Sequence, residues 1–411
     1  MPSYLTPGIY VEEVAGGARP IEMVGTSTAA FVGVAPDRAA GTERAVAINN
    51  WPAFVREFAK EGESTPLSHA VYGFFLNGGG RCWVVNVGEG RGISSVGAER
   101  RGLELLEEVD EVSILAIPGF TDIASYDAAI AHCEKLRNRV AILDPPIGMT
   151  SLDQLTRIAT PEPLASAEAT GDEGSDEDNE EGESAASKRS VGLRPPTTDG
   201  GFATFYFPHI HVADPLRDSR PSLIGPSGHI AGVWARTDGL RGVHKAPANE
   251  MVRGALDVSY RLTRDEQGTL NQKGVNCIRF FGSDGIRIWG ARTLAESSSE
   301  WRYVNVRRLF IMIEESISRS TRWIVFESND RTLWKSIERD ITAFLRRVWR
   351  SGALMGSTPE EAFFVKCDEE TNPTEDIDAG IVTTLIGLAP VKPAEFVVFR
   401  ISQQAPGADE S

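Results

Sequence analysis

Thr28–Pro36 reads TAAFVGVAP, a near-continuous apolar run closed by a proline. Three similar runs follow: RCWVVNV at Arg81–Val87, VSILAIPG at Val112–Gly119 and RVAILDPP at Arg139–Pro146. Apolar runs without alternation mark strands whose two faces are both covered. Segments with helical character lie between them, at Glu99–Glu108 and Ser125–Arg137. Strand–helix–strand alternation predicts a parallel sheet with right-handed crossovers. The expected fold class is therefore α/β across residues 25–262, within a chain that is α+β overall.

Working outward, 411 residues suggest about two or three domains, each large enough to bury a core. The net charge is −16, but nine acids between Glu168 and Glu183 supply more than half of it. They sit in a stretch, 161–196, rich in Glu, Asp, Ser, Gly and Ala and nearly free of aromatics. Such a composition buries too little surface to order itself, so an acidic, solvent-facing loop inserted in the α/β domain is expected. A tail that binds a basic partner is the sharper alternative. General nucleic-acid binding is not expected, because an acidic chain repels phosphate. No run approaches about 20 apolar residues, so no membrane insertion is expected. The start, MPSYLTPGIYVEEV, has neither a basic nor an apolar signal region, which suggests the cytoplasm during synthesis. Cys82, Cys133, Cys277 and Cys367 form no CxxC and match no zinc spacing, so free buried thiols are expected.

The two ends of the chain read as strands. Pro7 and Gly8 break any helix, and Ile9 and Val11 alternate with Tyr10 and Glu12. Near the other end, Val397, Phe399 and Ile401 share one face. An unpaired terminal strand is a hazard unless a neighbour accepts it. Arms donated to a different surface make a heterologous contact, which propagates as a ring or a helix. Gly16-Gly17 after the first arm, and Gly387, Pro390 and Pro393 before the last, are candidate hinges. Two helices are expected near the end, at Tyr303–Arg319 and Thr332–Ser351, the second capped by Ser328, Asn329 or Asp330 and stopped at Gly352. At about 100° per residue, Ile337, Ile341, Phe344, Leu345 and Val348 fall on one side of the second. Lys335, Arg339, Arg346 and Arg350 fall in a narrow arc opposite. That basic stripe in an acidic protein is a candidate contact surface, and a solvated face is its plain alternative.

Catalytic motifs are weak. GTSTA at Gly25–Ala29 is similar to the nucleophile phrase of subtilisin-type proteases, but Ser27 precedes every histidine, against the subtilisin order. NGGGR at Asn77–Arg81 lacks the Lys-Ser/Thr and the following helix of a phosphate loop, so it reads as a tight turn. His209 and His211 have no third ligand nearby in sequence. No enzyme, no metal and no cofactor is expected.

A set of phrases, in order, carries a resemblance. They are PGIYVEE (Pro7–Glu13), FFLNGGGRCWVVNV (Phe74–Val87), AILDPP (Ala141–Pro146), KAPANE (Lys245–Glu250), GVNCIRFF (Gly274–Phe281) and WGARTL (Trp289–Leu294). VFESND, GALMGSTPEEAFFVKCDEETNP (Gly352–Pro373) and PAEFVVFRI (Pro393–Ile401) complete it. The chain resembles the tail sheath proteins of contractile phages and related contractile injection systems, over nearly its whole length except the acidic insert. The resemblance implies an outer, subtilisin-like but inactive α/β domain at 25–262. It also implies an inner domain at 263–392 that touches an inner tube and is completed by 1–24, with exchanged arms at 1–24 and 393–411. The implied partners are further copies of the chain, in a helical homopolymer of hexameric rings, the tube, a baseplate and a terminator or cap. The implied particle is a phage tail or a released phage tail-like device. Ile9, Val11, Val397, Phe399 and Ile401 are the expected arm residues. Lys335, Arg339, Arg346 and Arg350 are the expected tube contact. The alternatives are a subtilisin-like serine hydrolase and another self-assembling shell protein.

Overall fold

The computed structural model describes residues 20–42, 44–95, 100–149, 151–159, 192–217 and 220–398. The chain divides into two compact units. One contains Gly25–Ile311 and the segment from Val391; the other contains Met312–Pro390 and the segment ending at Val24.

The larger unit is built on strands β1 (Ala29–Gly33), β2 (Val46–Ile48), β3 (Cys82–Asn86), β4 (Ile114–Ala116), β5 (Val140–Leu143) and β6 (Ala203–Phe207). It continues with β7 (Ile210–Ala213), β8 (Pro221–Ile224), β9 (Ala255–Val258), β10 (Val275–Phe280) and β11 (Ile286–Trp289). Eight of these form one sheet, ordered β11-β10-β6-β5-β4-β1-β3-β2, and β8-β7-β9 form a second. Pairing is parallel from β3 through β1, β4, β5 and β6 to β10. The outermost strands, β2 and β11, pair antiparallel. Every residue of β1, β4, β5 and β6 is buried, as their unbroken apolar runs require.

Helices α1 (Trp51–Phe58), α2 (Pro66–Leu76), α3 (Ile123–Leu136), α4 (Ser227–Arg241) and α5 (Arg264–Gln272) belong to this unit. Helices α2 and α4 pack backbone to backbone. A Cβ on Gly228 would lie 2.2 Å from Ala70 Cα, so only glycine allows that approach. The Asp144-Pro-Pro corner after β5 does more than end a strand. The buried Asp144 carboxylate accepts from Ser227 N (2.8 Å) and Ser227 Oγ (2.6 Å), which caps α4. Burial pushes the Asp144 carboxyl up to about 6, against those two bonds.

Helix α6 (Val304–Ser320) begins in this unit. Its Arg308 meets Asp238 of α4 through Nη1 (3.1 Å) and Nη2 (2.6 Å), and Nη2 also donates to the Thr26 carbonyl (2.7 Å). Thr26 Oγ1 returns a bond to Asp238 Oδ2 (2.6 Å), and the guanidinium lies over Trp234. Both charged side chains are about 95% hidden, at 3% and 5% exposure, so each depends on the other.

Two expectations differ from what is found. The helix expected over Glu99–Glu108 is a four-residue 3-10 turn, Leu103–Leu106. Gly102 sits at φ +56°, and a Cβ there would be 1.9 Å from the Ile93 carbonyl oxygen. The chain turns sharply at Gly102, so no helix can run through it. The compact units also divide at 311/312 and not at 262/263. The reason is β10, which pairs with β6 and brings β11 with it as an extension of the large sheet.

In the smaller unit, α7 (Arg331–Arg350) follows the expected Thr332–Ser351 closely. Asp330 is its cap, accepting from Leu333 N at 2.9 Å. Ile337, Ile341, Phe344, Leu345 and Val348 are all buried. A two-stranded antiparallel sheet, β12 (Phe363–Lys366) with β13 (Leu385–Leu388), completes this unit.

Two stability outcomes follow from these contacts. Arg308→Met should destabilise the chain by about 3–5 kcal/mol, because it strands the Asp238 charge; a denaturant midpoint equal to the parent's would contradict this. Burial lowers His132 and His209 to about 4, and His229 to about 3. Between pH 6.5 and 4 the unfolded chain therefore binds protons that the folded chain does not, and stability falls with pH. Asp144 and Glu134, both raised by burial, have the opposite sign, but His69 and His244 are lowered as well, so two groups stand against five. The denaturant midpoint should be lower at pH 5 than at pH 7; an equal or higher value at pH 5 would show the imidazoles are not held neutral.

Candidate assembly surfaces

The catalytic candidates do not converge. The phrase around Ser27 is a tether: Ser113 Oγ donates to the carbonyls of Thr26 (2.6 Å) and Thr28 (3.2 Å). Asn77 and Gly78 turn the chain from α2 into β3, with Gly78 at φ +107°. A Cβ on Gly79 would meet the Phe74 ring at 2.3 Å, so Gly79 serves packing and Gly78 the turn. His209 is buried and bonds the Pro145 carbonyl, while His211 is half-buried on β7. Among the described residues no group of His, Cys, Asp and Glu is arranged to hold a metal, and all four cysteines are free and buried. No helix among them is long and apolar enough to cross a membrane.

One cluster was not legible in the sequence. Ser64 Oγ donates to Asp214 Oδ1 at 2.5 Å, and His69 Nε2 lies 3.7 Å from Asp214 Oδ2. The three residue types match a hydrolytic triad, but the order is wrong. The imidazole must stand between hydroxyl and carboxylate to take the hydroxyl proton. Here the carboxylate stands between them, and both His69 and Asp214 are buried. This arrangement holds a loop and does not activate a nucleophile.

The basic stripe on α7 is present as a surface. Lys335, Arg339, Arg346 and Arg350 are all exposed. Lys335 pairs with Glu338 (2.8 Å) and Arg339 with Asp340 (3.0 Å). Arg346 and Arg350 have no ion-pair partner among the described residues. The stripe is therefore half neutralised at its start and open at its end, where the helix dipole is also negative.

The β12–β13 sheet has two strands and no third among the described residues. Phe364 (53% exposed) and Leu385 (52%) leave apolar surface beside backbone groups without a ladder partner. Gly387, expected as a hinge, is instead part of β13 opposite Phe364; a Cβ there would lie 2.0 Å from the Phe364 ring. It is needed for close packing, and the chain is held straight at that point.

Of the expected arm residues, Ile9, Val11, Phe399 and Ile401 lie outside the described residues. Val397 is in no strand and is 68% exposed, between Phe396 (76%) and Val398 (77%). Just before them, Glu395 is half-buried in the larger unit. It receives a two-pronged contact from Arg292, Nε to Oε1 (3.0 Å) and Nη2 to Oε2 (2.6 Å), with Tyr303 Oη at 3.3 Å. Asn305 Nδ2 donates to the Val391 carbonyl at 3.2 Å.

Comparison with known proteins gives consistent results. Residues 101–294 match the phage tail sheath protein central domain, and residues 296–404 the phage tail sheath C-terminal domain. The tail sheath protein of Salmonella phage ViI is 27% identical across 70% of this chain, which corresponds to 43% of that protein. That of Vibrio phage KVP40 is 28% identical across 44% of this chain and 27% of that protein. The chain thus spans less than half the length of these curated relatives. Several solved structures match nearly end to end, two of them sheaths in the contracted state. The sheath complex of an extracellular contractile injection system, PVC, in the contracted state gives a TM-score of 0.75 at 27% identity, covering 98% of this chain and 99% of that one. The contracted helical sheath of the anti-feeding prophage gives 0.72 at 29% identity, covering 98% and 100%.

The arrangement around Ser27 and Ser64 generates one outcome for peptide and ester hydrolysis. The purified chain, Ser27→Ala and Ser64→Ala should be indistinguishable from buffer. A rate above buffer that disappears in either variant would reopen the hydrolase reading.

Proposed function

The chain belongs to the phage tail sheath family, and from that premise we propose that it is the sheath subunit of a contractile phage tail-like injection system. The observation that carries this is the end-to-end likeness to two sheaths solved in the contracted state. Copies of the chain stack as hexameric rings in a helix around an inner tube, assembled in the cytoplasm on a baseplate and closed by a terminator or cap. A baseplate signal releases an extended lattice, the subunits turn, and the sheath shortens and widens to drive the tube through a target envelope. The extended lattice is then a metastable minimum, and the contracted one buries more surface or satisfies more charge. The role is structural, and the α/β unit carries a subtilisin-like but inactive fold on the outside of the sheath.

The lattice must stay connected while its subunits turn. The arms at 1–24 and 393–411 supply that connection by pairing with the sheets of neighbouring copies. The acceptor is β12–β13, whose edges lack a third strand among the described residues. Ile9, Val11, Val397, Phe399 and Ile401 face the acceptor. The α7 stripe of Lys335, Arg339, Arg346 and Arg350 faces an acidic tube exterior. An acidic tube draws most strongly on Arg346 and Arg350, which form no ion pair among the described residues.

The test is electron microscopy of the chain co-expressed with its tube and baseplate. Striated hollow cylinders are expected from the parent. Replacing Lys335, Arg339, Arg346 and Arg350 together by Glu should abolish tube-bound sheath. The fold should survive, since all four side chains are exposed, the surface pairs lost at Lys335 and Arg339 are worth about 0–1 kcal/mol each, and a reversal in the last turn at Arg350 costs about 0.3–1 kcal/mol. Tube-bound sheath in the quadruple variant would refute the stripe as tube contact. Cylinders absent from the parent under these conditions would refute the sheath reading itself.

A further inference from the structure

The arm reading leaves open where the C-terminal arm begins. Pro390 is the last residue of the smaller unit, and Pro390 and Pro393 look like natural pivots. The contacts place the transition elsewhere. The Arg292 and Glu395 side chains are 9% and 15% exposed, and one residue later exposure rises to 76% at Phe396. Residues 391–395 alternate between half-buried and exposed, whereas 396–398 are exposed without a break.

We propose that Arg292 and Glu395 form a clamp that fixes the root of the C-terminal arm on the larger unit, so that the arm pivots at Phe396 and not at either proline. The inference rests on the arm reading of the proposed function and adds the residues that aim the arm. Arg292 is suited to this. Its Nη1 donates to the Asn271 carbonyl (3.0 Å), and its backbone N donates to Asn276 Oδ1 (2.7 Å), beside β10 of the large sheet. A guanidinium whose backbone is bridged to Tyr303 and tied to Asn276 of β10 presents its fork in one orientation, and a carboxylate that binds both prongs is oriented as well as held. Glu395 is the group so held. Asn305 secures the same segment four residues earlier, through the Val391 carbonyl (3.2 Å) and the His244 carbonyl (2.8 Å). Two anchor points define a direction, where a single one would leave a swivel.

The consequence concerns contraction. An arm free from Pro390 would slacken when subunits turn, because residues 391–395 would peel away first. An arm clamped at Glu395 transmits the turn of the larger unit to the neighbour that holds the arm. Arg292 and Glu395 are then positioning residues, which act through the strand that follows them.

The test uses the full chain. The four native cysteines are buried, so nitroxides can be placed selectively at Ala394→Cys, an exposed position beside Glu395 on the clamped side of the pivot, and at Leu240→Cys, an exposed site on the same unit (76%). Pulsed electron resonance then gives the distance distribution between them, and assembly is scored on unlabelled chain with tube and baseplate. The parent should give a narrow distribution. Glu395→Gln, which leaves the buried Arg292 charge without its carboxylate, should lower the denaturant midpoint and, under conditions where the variant remains folded, broaden the distribution at least twofold and cut cylinder yield about tenfold. Arg292→Lys, which keeps the charge but not the fork, should fall between the two and decides the matter if Glu395→Gln fails to fold. A distribution that stays narrow overturns the clamp. A broadened distribution with parental cylinder yield overturns its role in aiming the arm. If the parent forms no cylinders, the sheath reading fails, while the distances still decide whether the clamp exists.

Discussion

Backbone hydrogen bonding at sheet edges is the constraint on which the rest of this structure depends. A strand edge buried or left bare is costly, and proteins cover it, cap it or use it. The large sheet manages its edges internally. On one side β11 is met by Asn249–Val252, with Asn249 N, Ile288 N and Val252 N each donating across the gap. On the other, β2 is only three residues long. The small β12–β13 sheet is met just past the end of β13, where Met355 N donates to the Ala389 carbonyl (2.8 Å), but it has no third strand among its described residues. One chain thus contains a sheet that is complete alone and a sheet that is not. We propose that the second is finished by other copies.

The same contrast separates what can be rigid from what must be shared. The parallel strands are buried on both faces, the helices α2 and α4 touch through glycines, and the Arg308–Asp238 pair is sealed with Thr26 and Trp234 around it. Such a body turns as a unit. In a sheath that contracts, rigid bodies turn while linkages between them persist. The Arg292–Glu395 fork lies where a rigid body would hand over to a linkage. The serine, aspartate and histidine at 64, 214 and 69 fit the same picture: chemistry-bearing side chains used to hold loops.

Much of the fold was legible in the sequence, because burial on both faces erases alternation. The runs at Thr28, Arg81, Val112 and Arg139 contain β1, β3, β4 and β5, and α7 declared itself through its apolar face and its Asp330 cap. What failed did so for local or topological reasons. Helical composition around Glu99–Glu108 hid the one residue that mattered, Gly102, whose neighbour across space is Ile93. GVNCIRFF reads as a strand in any sheet, and nothing in it says that β10 joins β6 across 70 residues. Gly387 reads as a hinge until the Phe364 ring is found lying across it. Of the candidate surfaces, the α7 stripe was visible as periodicity. The Arg292–Glu395 pair was not, since its members are 103 positions apart and no spacing rule links them.

The most direct test of the account is a cryo-electron microscopy reconstruction of assembled cylinders at a resolution that traces individual strands. The account predicts that β12–β13 is flanked by strands from the 1–24 and 393–411 segments of other subunits, making one sheet from several chains. Segments that fold back to pair within their own subunit, leaving the small sheet two-stranded, would contradict it.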